Sequence, residues 1–108
     1  MKNASIFVDV DLTLIDANGK LLTHAAEALT RLKAEESHLF PWSTNGGDYA
    51  RKVATLYGLS DLFDAFVAKP DIIIDDMPGT VLNAMVFDVN AEESWPALAE
   101  KITRKHLG

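Results

Sequence analysis

The chain has 108 residues, 48% of them hydrophobic, and contains no cysteine. This is enough for one hydrophobic core, and it excludes a disulfide framework and a thiolate metal site. The formal net charge of -6 disfavours nonspecific binding to nucleic-acid backbones, because such binding depends on basic surfaces. No apolar run reaches the length of a membrane span, and no signal peptide is recognised. We therefore expect one domain, residues 1–108, in the cytoplasm and without membrane partners.

The first predicted strand, residues 6–10, carries carboxylates at its end. Asp9, Asp11 and Thr13 follow an apolar run, and if the strand stops at Val10 the two carboxylates can converge on one metal and one phosphate. Magnesium takes oxygen ligands, usually one or two carboxylates among them. Asp9 could attack phosphorus, Asp11 could exchange protons with the leaving oxygen and with water, and Thr13 could hold the turn. The alternative is an Asp-rich capped turn without a catalytic role.

Residues 14–22 predict a short hairpin, because Asn18-Gly19 is a two-residue turn signal between apolar pairs. Lys20 lies on this hairpin, where it could meet substrate. Thr23 can cap a helix that runs to about residue 36. Apolar residues recur along this helix at helical spacing, namely Ala25, Ala28, Leu29 and Leu32.

The second predicted strand, residues 39–42, contains Pro41, which cannot donate a ladder hydrogen bond. We expect this strand to bulge or to start late. Ser43 and Thr44 follow it, and then come Asn45 and two glycines. A hydroxyl and flexible backbone amides ahead of a helix suit a phosphate, although the same residue types also serve as simple helix N-caps.

A helix over about residues 48–57 should end at Gly58. Three further strands are predicted over residues 63–67, 71–75 and 84–89. The last helix should span about residues 92–107, with four apolar residues facing the core: Trp95, Leu98, Ile102 and Leu107.

Charged residues follow two of these predicted strands. Lys69 comes after the first, and Asp75 and Asp76 end the second, which contains three consecutive isoleucines typical of a buried strand. Adjacent carboxylates at a buried strand tip would be costly without a cation nearby, whereas a solvated strand end could tolerate them. Alternation of strand and helix signals predicts an α/β fold, with a mostly parallel sheet and ligands at the carboxyl ends of its strands.

The segment from Phe7 to Leu14 resembles the first motif, D-x-D-x-T, of the haloacid dehalogenase (HAD) superfamily of phosphohydrolases. Ser43 resembles the second motif, because the stretch that follows has the family's usual helix length, and Thr44 is a close second. Lys69 in Lys69-Pro70-Asp71 resembles the third motif. The pair Asp75-Asp76 resembles the fourth, so all four motifs occur in the family's order.

The resemblance implies a three-layer Rossmann-like fold with about five strands and a hairpin flap after the first strand. It also implies a magnesium-dependent phosphomonoester phosphatase that forms an aspartyl-phosphate on Asp9, with Asp11 as general acid and then base. Family members that hydrolyse phosphoesters generally carry an acid at the position of Asp11, whereas dehalogenases and transport ATPases do not.

The resemblance further implies that Ser43 or Thr44, together with Lys69, holds the phosphoryl group. Magnesium would lie between Asp9, the backbone carbonyl of Asp11 and the Asp75-Asp76 pair. The intervals in which the family inserts cap domains are short here. We therefore expect a capless enzyme whose open site admits a small or macromolecular phosphorylated substrate, or is covered by another subunit of a homo-oligomer.

Two other hypotheses place the same residues in different classes of protein. One is a phosphate-accepting module similar to response-regulator receiver domains, in which the acidic pair and the acceptor aspartate occur in the opposite order. The other is a binding module that keeps the HAD-like scaffold without turnover. Metal binding without hydrolysis of any phosphoester would favour the second of these hypotheses.

Overall fold

The structure is a computed structural model that describes residues 2–77 and 84–108. Within these ranges the chain is a compact α/β unit with three helices and a parallel sheet in the order β1-β2-β3. The elements in chain order are β1 (Ser5–Asp9), α1 (Ala25–Ala34), β2 (His38–Ser43), α2 (Gly47–Leu56), β3 (Val67–Ala68) and α3 (Trp95–Ile102). Short 3-10 turns span Ser60–Leu62 and Val89–Ala91, and a π-helical turn, Thr103–Leu107, extends α3. None of the helices in this part of the chain has the length and apolar composition needed to cross a membrane.

The central strand β2 runs straight through Pro41, so the predicted bulge or late start is wrong. The backbone N–H and C=O of Leu39 both bond to Asp64. Because bonding directions alternate along a strand, Pro41 turns its backbone nitrogen toward the same side. On that side β3 pairs only with Trp42 and Ser43. Proline has no N–H to donate, but at this position no strand of the described sheet requires a hydrogen bond from it.

One face of the sheet packs against α1 and α3. Val8 and Leu39 are buried there, as are the predicted inner residues of α1, which are Ala25, Ala28, Leu29 and Leu32. The predicted inner residues of the last helix are also confirmed, since Trp95, Leu98, Ile102 and Leu107 are all buried. On the opposite face Phe7 and Phe40 stack with their ring centroids 4.9 Å apart, and Phe7 is 46% exposed.

The predicted cap of the first long helix is wrong by one residue. His24, rather than Thr23, occupies the N-cap, and its backbone is left-handed with φ 62°. Its side chain makes no capping hydrogen bond to the helix. The predicted end of the next helix near Gly58 is confirmed. Helix α2 ends at Leu56, and Gly58 takes the positive φ of 69° that favours glycine.

Two predicted strands do not form in the described residues. Residues 71–75 and 84–88 have no strand pairing, and Val89 begins a 3-10 turn. Ile72 and Ile74 are 83% and 96% exposed. A preference of β-branched residues for strands reflects packing against neighbouring strands and faces, and the exposure of these side chains means that such packing is missing. The described sheet therefore has three strands, and of the predicted strand at residues 63–67 only Val67 lies in β3.

The side chain of Asp64 connects the start of β2 with α1 through hydrogen bonds. Its carboxylate accepts hydrogen bonds from the Lys33 ammonium at 2.9 and 3.1 Å and from the Leu39 N–H at 3.0 Å. His38 Nδ1 lies 3.5 Å from the same carboxylate. The hydrogen bond from Lys33 is the main cause that holds the pKa of Asp64 below its usual range.

We expect Asp64→Asn to lower Tm at pH 7. A carboxyl whose pKa is depressed on folding adds stability above its unfolded pKa, and this stability is lost as pH falls through the folded pKa. The deficit of the variant should therefore close in acid, below the ordinary aspartate pKa of about 3.9. Thermal unfolding by circular dichroism from pH 7 to strong acid measures this, with the exposed Asp61→Asn as the control. A deficit that is independent of pH would contradict the ion-pair explanation.

Candidate active site

A carboxylate and an ammonium meet at the carboxyl ends of β1 and β3. Lys69 Nζ lies 3.0 Å from Asp9 Oδ1, and the Thr13 hydroxyl donates to Asp9 Oδ2 at 3.0 Å. The side chains of Asp9 and Lys69 are 36% and 31% exposed, so solvent reaches both. Lys69 Nζ also lies 5.7 Å from the ring centroid of Trp42, within the range of a cation–π contact. The geometry places a nucleophile-type carboxylate beside a cation that can neutralise an anion.

The chain leaves the sheet directly after Asp9 in a tight turn. The Val10 carbonyl accepts hydrogen bonds from the N–H groups of three residues, namely Thr13, Leu14 and Ile15. Leu12 takes a left-handed backbone with φ 63° and is 63% exposed. Val10 itself is fully buried. The predicted end of the first strand near this residue is confirmed. Because the chain turns here, Asp11 does not continue the strand.

The predicted hairpin follows this turn. An antiparallel bridge joins Ile15 to Leu21, and the Asp16 N–H donates to the Lys20 carbonyl at 2.8 Å. The Tyr57 hydroxyl at the end of α2 donates to the Gly19 carbonyl. The hairpin is thereby tied to α2, while the suggested contact of Lys20 with substrate stays a prediction.

Asp11 is held by the connection from β2 to α2. The Tyr49 hydroxyl donates to Asp11 Oδ1 at 2.6 Å, and the Asn45 amide donates to Asp11 Oδ2 at 3.0 Å. The pKa of Tyr49 is raised above its ordinary value, chiefly by this hydrogen bond, then by burial and by the negative charge of Asp11. Sequence reasoning gave Tyr49 no role. The only available signal was its position in the first turn of the helix that follows the Ser-Thr-Asn-Gly-Gly segment.

Ser43 connects the surroundings of Asp9 with those of Asp11. Its carbonyl accepts from the Lys69 N–H at 2.9 Å, and its hydroxyl accepts from the Asn45 N–H at 3.0 Å. Ser43 is 1% exposed, whereas Thr44 is exposed. The two candidate hydroxyls therefore differ in access, because Ser43 orders the turn from inside and Thr44 lies at the surface.

Glycine is needed where this connection becomes α2. Gly46 has φ 103°, a conformation that side chains rarely adopt. A Cβ on Gly47 would lie 2.8 Å from the Phe66 carbonyl oxygen. The first turn of α2 can approach the sheet only without that carbon, and this approach brings Tyr49 to Asp11.

The fourth sequence motif lies apart from these contacts. Asp75 and Asp76 are exposed, and Asp75 Oδ1 accepts from the Met77 N–H at 2.9 Å in a local turn. The described residues include no cluster of three or more His, Cys, Asp or Glu side chains suited to a metal. The expected convergence of this pair with Asp9 and Asp11 is therefore not seen in the described ranges, because residues 71–75 do not join the sheet.

The Asp9 carboxylate and the Asp11 backbone carbonyl supply hard oxygen donors, and magnesium needs only one or two protein carboxylates when waters and substrate oxygens complete its shell. This donor set is chemically suited to magnesium.

The surroundings of the site are open. Between Asp9 and Ser43 the chain forms the hairpin and α1, and between Ser43 and Lys69 it forms α2, a 3-10 turn and β3. Neither interval contains a cap domain. A groove of about 530 Å³ lies nearby, between the hairpin and the start of α3, but Asp9, Asp11 and Lys69 do not line it.

Comparisons with protein-family models, with curated proteins and with solved structures found no match to this chain.

Proposed function

We propose that this protein is a capless, magnesium-dependent phosphohydrolase of the HAD type, acting on phosphomonoesters. The observation that carries the proposal is the 3.0 Å contact of Lys69 with Asp9, at the carboxyl ends of two parallel strands. In such a pair the carboxylate can act as the nucleophile, and the ammonium can neutralise the charge of the phosphoryl group. An acidic second residue, Asp11, lies two positions on and is ordered by two hydrogen bonds.

In the first half of the proposed reaction, a carboxylate oxygen of Asp9 attacks phosphorus and the bond from phosphorus to the ester oxygen breaks. Asp11 gives its proton to that oxygen, so the substrate leaves as an alcohol and the phosphoryl group stays on Asp9. Lys69 neutralises the phosphoryl oxygens, with Ser43 or Thr44 as a further donor. The Thr13 hydroxyl holds the Asp9 carboxylate in place.

In the second half, Asp11 takes a proton from water as the water oxygen attacks the phosphorus of the aspartyl-phosphate. The bond between phosphorus and the Asp9 oxygen breaks, which releases inorganic phosphate and restores both carboxyl groups to their starting protonation. This sequence uses one residue as acid and then as base, and it needs no further reactant.

Asp9 and the backbone carbonyl of Asp11 would hold magnesium in this proposal, with the Asp75-Asp76 pair as the further ligands that the resemblance implies. When bound, the metal would reduce the repulsion between the Asp9 carboxylate and the phosphate. A Rossmann-like sheet of about five strands goes beyond the three strands of the described residues and stays a prediction, as does cytoplasmic localisation.

The proposal is tested by phosphate release from sugar, nucleotide and phosphopeptide esters, with and without magnesium. Turnover that requires magnesium would support it, and the preferred ester would indicate the substrate class. Magnesium binding without release from any ester would instead favour a non-catalytic, phosphate-binding module. Asp75 and Asp76 are exposed, and within the described residues they form no carboxylate cluster suited to a metal, which is the observation that favours this second candidate.

Lys69→Met should reduce kcat/KM for the preferred ester by about 10²- to 10³-fold, the usual cost of removing one donor that stabilises transition-state charge. Methionine keeps an unbranched, flexible stem, one atom shorter than that of lysine, and removes the charge and the donors. Steady-state kinetics measure the loss, and Lys52→Met, at an exposed position of α2, is the matched control. Wild-type kinetics in Lys69→Met would contradict the role given to the ammonium.

A further inference from the structure

Tyr49 occupies the first turn of α2 and reaches across to the turn after β1. Its hydroxyl donates to one oxygen of Asp11, while the Asn45 amide donates to the other. A carboxylate with one donor can still rotate about its terminal bond, whereas donors on both oxygens fix the plane of the group. The Asp11 carboxylate therefore has one orientation set from the β2–α2 side.

We infer that Tyr49 is a positioning residue for Asp11, setting the orientation in which this carboxyl passes a proton to the leaving oxygen. The inference rests on the proposed function. Proton transfer needs the acid within hydrogen-bond reach of the ester oxygen, so small errors of orientation reduce its rate. Tyr49 would act only through Asp11 and need not touch substrate.

The helix that carries Tyr49 is packed against the turn that carries Asp11. Ala50 and Val53, on the same helix, are buried against Val10 and Ile15 of the turn that carries Asp11. The helix and the turn thus share one small apolar cluster. Tyr49 packs against this cluster and donates its hydrogen bond to Asp11. A donor carried by a packed helix holds its acceptor more accurately than one carried by a free loop.

The Tyr49 phenol is the donor of this contact, and its ring packs against the apolar cluster that the helix shares with the turn. Replacement by phenylalanine removes that donor and leaves the ring in its packing site.

The inference has a chemical signature that a general structural role would lack. An ester with a poor leaving group, such as an alkyl phosphate, needs protonation of the departing oxygen, whereas p-nitrophenolate leaves without it. Loss of the positioning contact should therefore slow phosphoryl transfer from an alkyl ester to Asp9 far more than transfer from an aryl ester. We expect Tyr49→Phe to lower kcat/KM for glycerol 2-phosphate about tenfold, part of the 10²- to 10⁴-fold that acid catalysis supplies. The kcat/KM for p-nitrophenyl phosphate should change little, because kcat/KM covers only the steps up to loss of the leaving group, before Asp11 acts as base.

The experiment compares wild type, Tyr49→Phe and Tyr57→Phe with these two esters in saturating magnesium. Tyr57 is the matched control, because it is the C-cap residue of the same helix and its hydroxyl bonds to the hairpin rather than to Asp11. Asp11→Asn and the double variant Asp11→Asn/Tyr49→Phe complete a cycle. If Tyr49 acts through Asp11, the second substitution should cost nothing further once Asp11 is gone.

Equal losses of kcat/KM on the two esters in Tyr49→Phe, or additive losses in the double variant, would overturn the inference and leave the phosphatase proposal standing. A wild-type protein that hydrolyses neither ester nor any member of the wider panel would instead overturn the proposed function, and this inference with it. The wild-type rates therefore separate the two failures.

Discussion

Asp9→Asn should reduce magnesium-dependent phosphate release by about 10³-fold or more, because an amide cannot replace the carboxylate that would carry the phosphoryl group. Asparagine has nearly the same shape, and its carbonyl can still accept a hydrogen bond from Thr13 or Lys69. The fold should therefore survive. Phosphate release measures the loss, and the mass of the intact protein after an acid quench tests whether wild type, but not Asp9→Asn, gains one phosphoryl group.

Asp48→Asn is a suitable control for this experiment, since its side chain is 97% exposed on the first turn of α2. It removes one negative charge from the surface without touching the site. Substantial turnover in Asp9→Asn, with unchanged magnesium dependence, would mean that another group attacks phosphorus or that water attacks directly. A phosphoryl group found on a different aspartate would have the same implication.

Trp95→Ala should destabilise the protein by about 3–5 kcal/mol, the usual cost of truncating a large buried aromatic side chain. Trp95 is only 5% exposed, and its indole Nε1–H donates to the Thr13 carbonyl at 3.0 Å. Small domains have total stabilities of about 5–15 kcal/mol. This one truncation could therefore remove most of the free energy of unfolding.

Urea unfolding followed by circular dichroism measures that change, and Trp95→Phe separates its two parts. Phenylalanine keeps most of the apolar burial but leaves the Thr13 carbonyl without its donor, so we expect a smaller loss of about 1–3 kcal/mol. A loss below about 1 kcal/mol in Trp95→Ala would show that the tryptophan does not join α3 to the turn after β1. Equal losses in both variants would assign the whole effect to the hydrogen bond.

The elements that could be predicted from the sequence are those whose signals are local. The inner residues of α1 recur at helical spacing, and the turn after Asp9 begins where the apolar run ends. Gly58 provides the positive φ that follows α2. In each case neighbouring residues determine the conformation, so periodicity and turn chemistry were sufficient.

The parts that could not be predicted depend on residues far apart in the chain. The isoleucines at 72–74 have strong strand preference, but a strand also needs a pairing edge and a covering face, and sequence preference cannot supply them. Tyr49 meets Asp11 across 38 residues of chain. A tyrosine in a first helical turn carries no local mark of such a contact. The convergence of Asp75 and Asp76 with Asp9 came from family resemblance, and their exposure in the structure leaves it a prediction.

The shortness of β3 bears on how firmly the backbone of Lys69 is held beside Asp9. This strand has two residues and meets β2 only at Trp42 and Ser43. Breaking so few backbone bonds costs much less than unfolding the core, so segments of this kind open locally and often. Each such opening would carry Lys69 away from Asp9 while α1 and α3 stay packed. The placement of the Lys69 backbone beside Asp9 therefore depends on the local stability of a two-residue strand, and not only on the stability of the whole domain.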